Sequence, residues 1–345
     1  EYSGSSLNSL FAQRRNLLNL KFINGLRDIL RFNREAPLAM DSGNLVGLTL
    51  GDFLSKYKFR NWFIENFILP MGGAIWSMPQ ADILNFPAIN FVSFFRNHGL
   101  LAGLSQAPQW RTVHGGSKIY VNKLIKKIGT NAIKSCPIIA IKKMVVGVSL
   151  EFQGGYSESF DQVIICTSAP EAMKLLSANM GEELSLLNKF RTSQNRVVLH
   201  SDKKLMPKRR QAWSSWNFLT SGDQEDSCKA SSVTYWMNKL QKIDTNKPIF
   251  VSLNPLFEPD QNQIYGEFAY QHPIFDKETF IAQKKIDEVQ GKGGVWFAGA
   301  WLGYGFHEDG LTAGLRVANA LGVVPDWARN IPPGLPNTSS LKAAE

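Results

Sequence analysis

The sequence predicts an α/β protein organised around a strand, a glycine-punctuated loop and a helix near its end. Three observations carry that prediction. Val295 to Ala298 is a short apolar run bounded by glycines, the pattern of a buried strand. Gly299, Gly303 and Gly305 follow, allowing tight turns and close backbone approach to a ligand. Leu311, Leu315 and Ala318 then recur at helical spacing, so residues 310–321 read as a helix. Such a turn aims free backbone N–H groups and a positive dipole end at whatever lies above the strand. An anionic or carbonyl-rich cofactor is the natural occupant; the competing reading is a turn kept for packing alone.

The chain has 345 residues, which exceeds one ordinary domain core, and 44% hydrophobic content with 11% aromatics supplies a packed interior. Disorder is excluded. A formal charge of +9 favours acidic partners such as phosphorylated cofactors or anionic lipids. The basic residues are spread, clustering only at Lys203-Lys204 and Lys208-Arg209-Arg210, and no nucleic-acid motif accompanies them, so no nucleic-acid partner is expected. Cys136, Cys166 and Cys228 are few, distant and odd in number, which argues for a reducing compartment. Cys166 ends the apolar run Val163-Ile164-Ile165-Cys166 and reads as a buried, inert thiol. No apolar run is long enough to span a membrane. The expected location is the cytoplasm, or an organelle if a targeting segment precedes Glu1.

Taken in order, residues 1–110 read as mostly helical. Leu17, Leu18, Phe22, Ile23, Leu26, Ile29 and Leu30 form an amphipathic stripe flanked by arginines. It suits either a membrane surface or the domain core, the core being the commoner outcome. Residues 50–69 continue helically to Pro70, Gly72-Gly73 breaks the pattern, and residues 86–101 form a Phe-rich helix. Such aromatics line an apolar pocket or simply fill a core. The loop from Gln109 and Trp110 to Ser117 holds His114 before two glycines, as a proton donor or a turn residue, and residues 120–128 read as a helix. From Ile133 the period becomes that of strands: 138–141, 145–152 and 160–166. Residues 191–285 mix strands with turns, and the stretch after Trp327 is a proline-rich polar tail.

Phe297-Ala298-Gly299-Ala300-Trp301 with Gly303-Tyr304-Gly305-Phe306-His307-Glu308-Asp309-Gly310-Leu311 resembles the C-terminal flavin-binding segment of FAD-dependent, amine-oxidase-like oxidoreductases. Leu205-Met206-Pro207, Trp236-Met237-Asn238 and His272-Pro273-Ile274-Phe275 extend the similarity over nearly the whole chain. A related module precedes the methyltransferase of plant cyclopropane fatty acid synthases. The resemblance implies an incomplete FAD/NAD(P)-binding, Rossmann-like domain interleaved with a mixed α+β substrate domain. Its parts are a helical substrate part at 1–110, FAD-domain strands and a helix at 111–190, and a substrate sheet at 191–285. A FAD-binding strand–loop–helix at 286–325 and a flexible tail at 326–345 complete it. It implies FAD as cofactor and oxidation of a small, apolar or amphipathic substrate, possible lipids included. The alternative is a non-catalytic or partner module of a lipid-modifying methyltransferase.

By the same resemblance, Ile138 brings backbone to the adenine, and Gly299, Ala300 and Trp301 lie along the ribityl chain. Glu308, Asp309, Gly310 and Leu311 present helix-start amides to the flavin N1–C2=O edge. His307 stands where the family faces the flavin with an aromatic residue, and is the candidate proton mover; a hydrogen bond within the loop is its other reading. Asp309 also suits a helix cap. Trp301, Tyr304 and Phe306 line a cavity or pack beneath the loop. Two departures stand out. Many relatives carry an acidic residue after Gly299, where this chain has Ala300. The pyrophosphate cradle Gly-x-Gly-x-x-Gly is absent from all 345 residues; in the family it precedes the position matching Glu1. Truncation is expected rather than loss of flavin binding. No metal site is expected, because the histidines are isolated in sequence.

Overall fold

Residues 1–101, 111–220 and 231–328 are described here in a computed structural model. Gln109, Trp110, Cys228 and most of the expected tail lie outside them. The chain divides into two units, each built from two segments: Glu1–Gly129 with Ser193–His272, and Thr130–Thr192 with Pro273–Glu345. The helix expected to accompany the nucleotide-binding strands, Lys118–Ile128, belongs to the first unit, and none of its residues is buried.

The first unit is held by aromatic packing. Helix Leu20–Asp41 begins where the Asn19 side chain accepts the N–H groups of Lys21 and Phe22, a standard start signal. It buries Phe22, Gly25, Asp28, Phe32, Ala36 and Ala39, the three-and-four spacing of one helical face. Phe32 is fully buried among the rings of Phe53, Phe59, Phe63 and Phe95. Of the expected stripe only Phe22 is buried: Leu17, Leu18 and Leu30 are exposed and Ile23, Leu26 and Ile29 half-buried, because the covered face is offset to Gly25, Asp28 and Phe32.

The expected helix over 50–69 is instead interrupted. Leu50–Lys56 stops before Lys58, whose φ of 54° is left-handed, and the chain restarts through Asn61–Phe63 and the π-helical turn Ile64–Ile68. Pro70 does not end a helix. It sits in the first turn of Leu69–Trp76, where a missing N–H costs nothing. Gly72 and Gly73 are inside that helix for close approach: an added Cβ would come 2.8 Å from Ile83 and 3.0 Å from Phe218. The helix ends at Ser77 in the left-handed region, φ 55°. The Phe-rich helix is shorter than expected, Ala88–Asn97.

Among the described residues ten strands are numbered in chain order: β1 Ile138–Lys143, β2 Val148–Phe152, β3 Ser157–Phe160, β4 Val163–Ile165, β5 Thr192–His200, β6 Trp216–Thr220, β7 Ser231–Trp236, β8 Phe250–Leu253, β9 Ile264–Pro273 and β10 Val295–Phe297. The first unit carries a five-stranded sheet in the order β6-β7-β8-β5-β9. A polar spine crosses it. The buried His200 Nδ1 accepts the Asp202 N–H (3.1 Å), so its proton resides on Nε2, which donates to Ser252 Oγ (2.8 Å). Ser252 Oγ in turn bonds Thr234 Oγ1 (2.7 Å).

The second unit pairs β1-β2-β3 as an antiparallel meander and β4 with β10 in parallel. Its core includes Val148, Ile165, Ala172, Leu187, Val295 and Phe297. The strands are trimmed relative to expectation: β2 starts at Val148 because Val145 and Val146 sit exposed in the turn before it, and 160–166 splits at the Asp161-Gln162 link. Cys166 is exposed, not buried. The period of two that turns Ile165 inward turns Ile164 and Cys166 outward. Among the described residues no helix is long and apolar enough to cross a membrane, and no group of three or more His, Cys, Asp or Glu is placed to hold a metal ion.

Burial holds the pKa of both His200 and His272 below the ordinary histidine value. At a pH above about 6.5 the folded and unfolded chains both carry neutral imidazole, and the groups add no pH dependence. Below it the unfolded chain gains protons that the folded chain refuses, so stability falls until the folded-state pKa is reached. Urea midpoints should therefore drop between pH 7.5 and 5.5, and His200→Gln should flatten that slope.

Candidate functional site

The candidate site is built on the parallel pair in the second unit. Val295, Trp296 and Phe297 register with Val163, Ile164 and Ile165, and the ladder continues one bond further as the Ala298 N–H donates to Ile165 O (3.0 Å). Both strands therefore deliver their carboxyl ends together, where α/β proteins bind ligands. On β10, the Gln290 side chain plays the part of a further strand: its Nε2 donates to Phe297 O and its Oε1 accepts the Phe297 N–H, each at 2.8 Å.

The glycine loop leaves β10 over residues 299–306. Trp301 is buried, its indole N–H donates to Thr167 O (3.0 Å), and its ring meets Phe190 edge-on at 4.6 Å. Of the two readings for this side chain, packing is the one observed. The same indole explains Gly299: a Cβ there would lie 2.4 Å from Trp301 Nε1. Ala300 O receives the N–H groups of Gly303 (3.0 Å) and Gly305 (3.1 Å), closing the loop on itself. Gly305 has φ 91°, a left-handed conformation glycine adopts freely. Gln283 Nε2 pins the loop from outside, donating to Trp301 O (2.9 Å) and Gly303 O (2.7 Å). Neither Gln283 nor Gln290 was legible as a site residue, since a lone glutamine carries no motif.

The helix after the loop runs His307–Ala320, beginning three residues earlier than expected. Asp309 sets that start. As the third helical residue it reaches back, its Oδ2 accepting the Phe306 N–H (2.9 Å). This cap leaves no room at Gly303, where a Cβ would meet Asp309 Oδ1 at 2.2 Å. His307 and Glu308 are exposed on the first turn, Leu311 is 45% exposed on the second, and Gly310 lies over Ala300 with 3.7 Å from its would-be Cβ to Ala300 N. The structure thus gathers Gly299, Ala300, Trp301, His307, Glu308, Asp309, Gly310 and Leu311 in one strand–turn–helix. Ile138 stands apart from it, at the start of the edge strand β1, half-buried against the same core.

No protein-family model and no curated protein matches the sequence. Solved structures match the fold. A CLA-producing fatty acid isomerase from P. acnes superposes with a TM-score of 0.60 at 12% identity, over 88% of this chain and 76% of that one. A triple mutant of putrescine oxidase gives 0.59 at 12% identity, over 93% and 77%. Cyclohexylamine oxidase from Brevibacterium oxydans gives 0.51 at 13% identity, over 92% and 76%. The chain therefore has the α/β fold of these proteins. Nothing in these likenesses bears on the methyltransferase that the sequence resemblance implied.

The Asp309–Gly303 contact is open to a double-mutant cycle. Asp309→Ala should cost about 1 kcal/mol through the lost cap. Gly303→Ala should be strongly destabilising when Asp309 is present and much less so beside Asp309→Gly, which also removes the Asp309 Cβ that would stand 2.7 Å away, as read by urea unfolding. Equal costs in both backgrounds would show that the carboxylate does not dictate the glycine.

Proposed function

We propose that the chain belongs to a FAD-dependent oxidoreductase of amine-oxidase-like type acting on a small apolar or amphipathic molecule. The observation that carries the reading is the strand–glycine turn–helix at the carboxyl ends of β10 and β4, in a fold like that of putrescine oxidase and cyclohexylamine oxidase. The residues present suit part of the cofactor. A helix start offers first-turn amides and a positive dipole end to the electron-rich edge of a flavin ring. The turn before it, closed on Ala300 O, holds that start in place. The dinucleotide's pyrophosphate has no Gly-x-Gly-x-x-Gly cradle in these 345 residues, so this part of the cofactor would need a further segment.

When bound, the flavin would accept a hydride from the substrate. The protein's part is orientation and charge. Backbone at Glu308 and the dipole end of the helix would stabilise negative charge on the ring; the Gly310 N–H, expected to share that role, is donated to Phe306 O (3.2 Å). Gly299, Ala300 and Trp301 would run along the ribityl chain by their backbone, the Trp301 side chain being committed to the core. Ile138 would meet the adenine. His307, exposed at the first helical position, would move a proton at the ring's edge. A lipid or other amphipathic substrate draws support from the fatty acid isomerase among the matched folds.

The test is the visible spectrum of the purified chain with and without added FAD. Flavin bands that survive gel filtration are expected, and Gly310→Leu, which fills the space over Ala300, should weaken retention at least tenfold. His307→Gln should keep the bands and slow turnover by about 10²-fold or more. A chain that stays colourless with FAD in excess, alone and when joined to a Gly-x-Gly-x-x-Gly segment, would remove the reading.

A further inference from the structure

The first unit holds a cavity of about 260 Å³ that the proposed cofactor site does not use. It lies between the end of helix Leu69–Trp76, its following loop, and the strands β5 to β8. One side is apolar, made by Met78, Phe218, Val233 and Leu253. The other side is polar: Ser77, Ser193, Asn195 and Asn254 contribute, with no Asp, Glu, Lys, Arg or His among the described lining residues.

The polar side is held rigidly. Asn195 is 3% exposed, and its Oδ1 accepts from Asn254 Nδ2 (2.8 Å). Its Nδ2 donates to Ser193 Oγ (3.2 Å) and to His272 Nδ1 (3.0 Å). Asn254 is left-handed at φ 47°, a conformation uncommon outside glycine that persists only when its surroundings impose it. They do: its N–H donates to Arg196 O (2.8 Å) and its Oδ1 accepts the Arg196 N–H (3.0 Å). Ser77, across the cavity, is the second left-handed non-glycine residue of the lining.

Among the described lining residues charge is absent for a structural reason. Arg196, next in sequence to Asn195, is committed to Glu258 (2.7 and 2.9 Å) and Glu267 (3.0 Å), so its cation is answered away from the cavity. His272 accepts a hydrogen bond at Nδ1 and is kept neutral by burial. A charged head group entering this space would lose its hydration and meet no counter-charge, which is costly. A hydroxyl or amide would not, because Asn195 Oδ1 and the serine hydroxyls retain hydrogen-bonding capacity.

We propose that this cavity binds a neutral amphipathic small molecule, with a hydroxyl or amide head on Asn195, Asn254 and Ser193 and an apolar body against Met78, Phe218, Val233 and Leu253. This deepens the proposed function by naming a substrate class, and rests on that reading only for the step from ligand to substrate. An amine, cationic at neutral pH, is thereby disfavoured in spite of the likeness to amine oxidases.

Saturation-transfer NMR titrations of the chain with 1-hexanol, hexylamine and hexanoate at pH 7.5 test it. The expected result is hexanol affinity at least tenfold above either charged homologue. Val233→Trp should abolish hexanol binding by filling the cavity. Ala81→Trp, on the exposed rim, should weaken it tenfold and keeps the test sharp if the first variant does not fold. Equal or tighter binding of hexylammonium or hexanoate would overturn the proposal, as would hexanol binding unchanged in the folded variants. The flavin reading fails separately: selective hexanol binding by a chain that never retains FAD leaves the cavity assignment standing and removes the oxidoreductase. Retained FAD without alcohol selectivity does the reverse.

Discussion

Three rungs of parallel backbone, Val295 on Val163, Trp296 on Ile164 and Phe297 on Ile165, decide where everything in the candidate site lies. A pair so short has little strength of its own, and the surrounding bonds are arranged to protect it. Gln290 supplies a side-chain amide where another strand would supply backbone. Trp301 folds back to Thr167 O beyond the end of β4, tying the loop after one strand to the loop after the other. Gln283 fastens the same loop at two carbonyls. The outcome is a glycine turn without glycine's looseness, and a helix start whose amides point from a fixed place.

Much of this was legible in the sequence, and the reasons for the remainder differ from residue to residue. Phe22 was readable as part of an apolar stripe, but the rest of the buried face was not, because it runs through Gly25 and Asp28, which no apolar pattern marks. The α/β class and the strand–loop–helix were readable because glycines and apolar runs punctuate them. The helix start was misjudged because Asp309 caps from inside the helix, reaching backward, whereas a cap is sought in front of the apolar pattern. Gly72-Gly73 looked like a break because only the neighbours Ile83 and Phe218 reveal that small residues were needed there. Cys166 seemed buried because an apolar run does not say which of its alternating faces is covered. Gln283 and Gln290 act through long-range amide bonds to backbone, for which no local signal exists.

Both units bury a carboxylate beside a cation: Glu183 with Lys143 in the second and Asp28 with Arg60 (2.9 Å) in the first. In the first, the interior of the sheet is polar but uncharged, from the His200–Ser252–Thr234 spine to the Asn195–Asn254 amide pair. Neutral networks of that kind are satisfied without counter-ions, so they confer shape and polarity without a preference for either sign of charge.

Each unit is assembled from two separate stretches of chain, and this bears on the order in which they form. β4 is made well before its partner β10. Between them the ribosome must deliver the whole of Ser193–His272, which supplies every strand of the first unit's sheet. Closing a loop of that length delays pairing until the distant strand exists. The first unit is therefore able to mature on the nascent chain while β4 waits unpaired. The turn after β10 therefore takes shape only once Ser193–His272 has been made.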